Sequence, residues 1–128
     1  MVGYNGGSVS NLVKNFNKAG SMYVTDTAAR ATRYANAQAT ERVSLEFGEQ
    51  APSTVILTVE AEDINFHRRP GHTASLDECE GWLRAGQYRI TAARIRFSSY
   101  WNTVYYGMRP NDIVNMLVAN GVAVEVIE

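Results

Sequence analysis

The residue types that most often carry chemistry are sparse in this chain. It has one cysteine, Cys79, between Glu78 and Glu80. Neighbouring carboxylates raise a thiol pKa, the wrong direction for a nucleophile. His67 and His72 flank Arg68-Arg69-Pro70-Gly71. A Pro-Gly pair cannot lie inside a metal-binding helix, and no nearby motif supplies the further ligands that zinc needs, so no metal site is expected. These histidines read as part of an exposed loop, the kind of segment that can also carry function. No Ser-His-Asp or Cys-His pattern, no GxxxxGK[ST] and no GxGxxG is present, which excludes the familiar nucleotide-binding loops. Arg84, Arg89, Arg94 and Arg96 cluster in sequence, with Arg94 and Arg96 on one strand face. They fit either a solvated sheet face with counter-charges or an anion site. Tyr100, Trp101, Tyr105 and Tyr106 follow, and aromatics beside arginines can also serve single-stranded nucleic acid.

The elements that must position these residues follow from periodicity and punctuation. Met1 to Tyr4 reads as a short strand that stops at the permissive turn Asn5-Gly6-Gly7. Ser8 or Ser10 can cap a helix carrying Val9, Leu12, Val13 and Phe16, ended by Gly20. Ser21 to Thr25 predicts a strand. Thr25 or Asp26 can cap an alanine-rich helix over 27–38, with Ala28, Ala31, Tyr34 and Ala35 on one face. After a loop over 46–53, Thr54 to Glu60 is the clearest strand. Asn65 to Ser75 predicts a loop, and Leu76 to Leu83 a short helix capped by Ser75. Gln87 to Thr91 and Ala93 to Ser98 predict two strands, and Asn102 to Tyr106 a further one. Arg109-Pro110-Asn111 opens a helix whose buried face is Ile113, Val114, Leu117 and Val118, ended by Gly121. Val122 to Ile127 predicts a terminal strand. Short strands with helices early and late give an α+β class.

The chain has 128 residues, 12 basic and 13 acidic, for a formal net charge of -1. That length predicts a single domain over 1–128, able to build one core without disulfides. The balanced charge argues against binding driven by a global basic surface. No apolar run reaches the roughly 18 residues of a membrane span. The first residues lack a charged-then-apolar signal pattern, so a cytoplasmic setting is expected, bacterial or viral.

Three segments, in order, resemble elements of the ADP-ribosyltransferase superfamily. Tyr4-Asn5-Gly6-Gly7-Ser8 resembles the family's first strand, where an aromatic, a His or Arg, a glycine and a small residue open the NAD site. Ser21 to Tyr34 followed by Ala35 resembles the second, a strand bearing Tyr-hydrophobic-Thr-Asp that leads into a helix ending in Tyr-Ala. Gly86 to Ile90, then Thr91 to Ile95, resembles the third, a strand that bears the catalytic Glu. Thr54 to Phe66 is similar to the intervening strand of small phage-type members. The likeness covers residues 1 to about 97.

The resemblance implies a split β-sheet core with flanking helices and NAD as co-substrate. It implies that Tyr4, Asn5, Gly6, Gly7, Tyr23, Thr25 and Tyr34 bind NAD. Gly6 brings backbone to the carboxamide, and Tyr23 offers a ring face to nicotinamide. The catalytic pair is Gln87 with Tyr23. Two departures from the family pattern stand out. Asn5 replaces the His or Arg, and Gln87 replaces the Glu. A neutral amide orients a hydroxyl but cannot stabilise a cation by charge. The implied activity is transfer of ADP-ribose to a host protein or nucleic acid, from a phage-encoded protein acting in host cytoplasm, with the 65–75 loop and the 100–106 stretch selecting the acceptor. The alternative is a non-catalytic binding or inhibitor protein that keeps the fold and docks on a host partner. A third reading is a nucleic-acid-binding module.

Overall fold

The structure is a computed structural model, and it describes residues 1–18, 20–46, 53–70, 77–97 and 104–127. Among the described residues seven strands form one mixed sheet: β1 (Val2–Ser8), β2 (Met22–Thr25), β3 (Thr54–Ala61), β4 (His67–Pro70), β5 (Asp77–Leu83), β6 (Tyr88–Arg96) and β7 (Ala123–Val126). Their order is β4-β5-β2-β1-β3-β6-β7. All pairs are antiparallel except β6 with β7. The helices are α1 (Val9–Asn15), continued by a 3-10 turn Phe16–Lys18, then α2 (Ala28–Glu46) and α3 (Pro110–Ala119). The class is α+β, as the sequence predicts.

Local signals fix several boundaries. The Ser8 hydroxyl accepts from the Asn11 N–H at 3.2 Å and caps α1. Pro110 opens α3, where its missing N–H costs nothing. The Asp112 carboxylate accepts from the Arg109 N–H at 3.1 Å. Gly121, at φ 79°, turns the chain from α3 into β7. β3 is buried along most of its length, which explains its β-branched run.

Elsewhere the fold departs from the expectations. The Asn5-Gly6-Gly7 segment is not a turn: β1 runs through it, paired with β3 at every residue from Val2 to Ser8. The cap of α2 is Thr27, whose hydroxyl accepts from the Arg30 N–H at 3.2 Å, and the helix continues to Glu46. Residues 77–83 form a strand instead of a helix. β5 sits between β4 and β2, and Gly81 packs where a Cβ would meet the Ile64 side chain at 2.7 Å. Part of the expected 65–75 loop is β4, the edge strand beside it. The two strands expected at 87–91 and 93–98 are one strand, β6, which follows β3 across a bulge at Thr58/Val59. Tyr105 makes only an isolated bridge with Met108. Ser75, His72, Tyr100 and Trp101 lie outside the described residues.

Two apolar clusters hold the sheet. The larger joins α1 and α3 to β3 and β6 through Val9, Leu12, Val55, Leu57, Ile95, Ile113 and Leu117. The smaller joins β2 and β5 to β3 through Val24, Leu83, Val59, Ala61 and Ile64. Ile113 and Leu117 face the core as expected, whereas Val118 is exposed. Tyr105 is a core residue, its hydroxyl 2.5 Å from Ser53 Oγ and its ring beside Phe97. It is therefore withdrawn from any contact surface, while Tyr106 is exposed. Arg94 lies on a solvated face with Glu125 3.7 Å away, the counter-charged arrangement.

Candidate functional site: a cleft where the sheet opens

β1 and β3 pair along seven positions, but β1 and β2 pair at one, Tyr4 with Thr25. The Asn5 side chain donates to the Tyr23 carbonyl at 2.8 Å, spanning the two strands in place of a ladder rung. Beyond it the strands part, and a cleft of about 1010 Å³ opens between them. Its size is at the upper end for small-molecule sites. α1 lines one side with Asn11, Leu12 and Asn15, while β2 and β5 contribute Tyr23, Thr25, Glu80 and Trp82.

Seven of the eight residues singled out in the sequence line this one cleft: Tyr4, Asn5, Gly6, Gly7, Tyr23, Thr25 and Tyr34. Glycine at 6 has a packing reason beside the expected one. A Cβ there would sit 1.8 Å from the Ala31 carbonyl oxygen, so the bare position faces α2 and lets the helix lie on the strand. Ala31 and Ala35, both fully buried, are the helix side of that contact. Tyr23 is 55% exposed and stands beside Trp82, ring centroids 4.3 Å apart, so it is not a core tyrosine. Thr25 is buried, and its hydroxyl donates to Asp26 Oδ1 at 3.4 Å.

Gln87 is the residue the structure sets apart. It is exposed in the turn between β5 and β6, where its amide oxygen accepts from the Arg84 N–H at 2.9 Å and its own N–H donates to the Arg84 carbonyl at 3.1 Å. Its neighbours Gly86 and Tyr88 line the cleft, and Gln87 does not. The carboxylate that does is Glu80, which accepts from the Tyr34 hydroxyl at 3.2 Å. The sequence points to neither Glu80 nor Trp82, because 76–83 reads as a helix. The signal that finds them is period-two alternation. Glu80 and Trp82 pair with Thr25 and Tyr23, while Gly81 and Leu83 point to the smaller cluster.

Asp26, next to the site, is held by Arg30, Nη1 to Oδ1 at 2.5 Å. Burial alone raises its carboxyl pKa, but the Arg30 hydrogen bond and charge, a backbone N–H and the Cys79 thiol together bring it below the ordinary carboxylate value. At the other end of β2, the Tyr88 hydroxyl donates to the Gly20 carbonyl at 2.5 Å, and burial lifts its pKa above 10.0. Among the described residues no group of three His, Cys, Asp or Glu could hold a metal ion, and no helix is long and apolar enough to cross a membrane. Protein-family models, curated proteins and solved structures give no match to this chain.

Proposed function

We propose that the cleft binds NAD and that the protein transfers ADP-ribose from it to a host macromolecule, in the manner of the ADP-ribosyltransferases that the sequence resembles. One observation carries this reading. Seven residues from two separate sequence segments line a single cleft, and that cleft lies beside the short pairing of β1 with β2.

The chemistry asks for four things. An aromatic face must hold nicotinamide, and Tyr23 is exposed enough to serve. A polar group must orient the ribose, and Asn5 lines the cleft with its side chain on the Tyr23 carbonyl. Backbone must come close to the carboxamide, which Gly7 allows. A negative charge must face the ribose carbon as the bond to nicotinamide breaks and that carbon gains cationic character. Glu80 supplies the charge, held by the Tyr34 hydroxyl. The bonding pair leaves with nicotinamide, which becomes neutral. The acceptor's lone pair then forms the new bond to the ribose carbon, and its proton passes to Glu80 or to water. Gln87 has no part in this scheme.

The test is nicotinamide release from NAD by wild type and by Glu80→Gln. Release by wild type that falls about a hundredfold in the variant supports the reading. A silent wild type that also fails to bind NAD overturns it, and inhibition of a partner without NAD would then favour the docking protein.

A further inference from the structure

The cleft is electrostatically two-ended. Glu80, paired with Thr25, stands at one end of β2. Gly20 lies beyond the other end, tied to β6 by the Tyr88 hydroxyl. The five residue steps from Gly20 to Thr25 span at most about 17 Å. Lys18 stands two residues before Gly20 and lines the cleft. With Asn11 and Asn15 it forms a stripe at i, i+4 and i+7, running along α1 and its 3-10 extension. All three line the cleft. Arg89 lines it too, but its guanidinium is engaged by Glu60, 3.3 Å away. Among the described residues Glu80 is the only acidic side chain that lines the cleft, so an acid stands at one end and a base with two amides at the other.

We infer that the Asn11–Asn15–Lys18 stripe is the subsite for the diphosphate of the dinucleotide. This rests on the reading that the cleft takes NAD. The charge pattern also fixes the direction of binding. The cationic nicotinamide ribose lies toward Glu80 and the anionic diphosphate toward Lys18, because the reverse would place like charges together. Lys18 supplies the charge and donor hydrogens, and the two asparagine side-chain amides donate neutral N–H bonds that the diphosphate oxygens accept. The site therefore selects a dinucleotide over the phosphate-free nicotinamide riboside.

Calorimetry with ADP-ribose and with nicotinamide riboside tests this on wild type, Lys18→Glu and Lys14→Glu. Lys14 is exposed on the same helix, does not line the cleft, and undergoes the same charge change. The expected result is ADP-ribose binding weakened about tenfold or more by Lys18→Glu, little changed by Lys14→Glu, and nicotinamide riboside binding equal in all three. Equal losses from both lysine variants, or ADP-ribose binding unaffected by Lys18→Glu, overturn the inference. If nicotinamide is released from NAD while Lys18→Glu leaves ADP-ribose affinity intact, the subsite fails and the transferase reading stands. If ADP-ribose binding depends on Lys18 but no nicotinamide is released, the subsite stands and the transferase reading fails.

Discussion

Gly6→Ala separates two explanations of the glycine that opens the site. A glycine kept for close approach of a ligand tolerates a methyl group in the free protein and loses only binding. A glycine kept for helix packing cannot accept the methyl without moving the helix. The added Cβ would lie 1.8 Å from the Ala31 carbonyl oxygen and 2.7 Å from its carbon. Reaching the 3.0 Å at which real contacts begin requires a displacement of at least 3.0 − 1.8 = 1.2 Å between β1 and α2. Both partners are backbone, so no rotamer change can absorb it. The shift also lifts Ala31 and Ala35, both fully buried, off the sheet. Overpacking of this kind costs about 3 kcal/mol, at the upper end of its usual range. For a chain of this length that lowers Tm by about 10 °C. Gly20→Ala is the control, since its nearest contact would be at 3.9 Å and its Tm should change little. Differential scanning fluorimetry of both variants decides the matter. A Gly6→Ala protein with wild-type Tm refutes the packing argument, and a lost NAD affinity in that same protein would restore the ligand-approach explanation.

Tyr23→Ala should weaken NAD binding by about 1 kcal/mol in calorimetry while leaving Tm nearly unchanged, because the ring is more than half exposed. Gln87→Ala should leave nicotinamide release at the wild-type level and lower stability by no more than about 1 kcal/mol through loss of its turn hydrogen bond, measured by urea unfolding. Tyr105→Phe removes the buried hydrogen bond to Ser53 and should cost about 1–2 kcal/mol in the same assay. Burial raises the Tyr88 phenol above its unfolded value, so its contribution to stability is complete below pH 10.0 and is lost as pH rises through the folded value. Tyr88→Phe should therefore flatten the alkaline limb of the Tm-against-pH curve, and an unaltered limb would show that other groups set it.

The sequence by itself determined the elements whose causes are local. Ser8 caps α1, Pro110 and Gly121 bound α3, and the β-branched run of β3 reads directly as a buried strand. The resemblance, rather than periodicity or composition, names seven residues that line the cleft. Tertiary structure decided what depends on partners distant in the chain. Residues 77–83 are a strand because β4 and β2 supply hydrogen bonds on both sides, a gain that outweighs any preference of an isolated seven-residue segment. That pairing turns Glu80 and Trp82 to the same face and puts Glu80 in the cleft, while the turn that joins β5 to β6 carries Gln87 away from it. Gly6 looks in the sequence like part of a flexible turn, yet it is the contact on which α2 rests, 25 residues along the chain at Ala31. Side-chain direction alternates with every residue of a strand. Which carboxylate or amide reaches a site is therefore settled only when the strand's register with its neighbours is fixed.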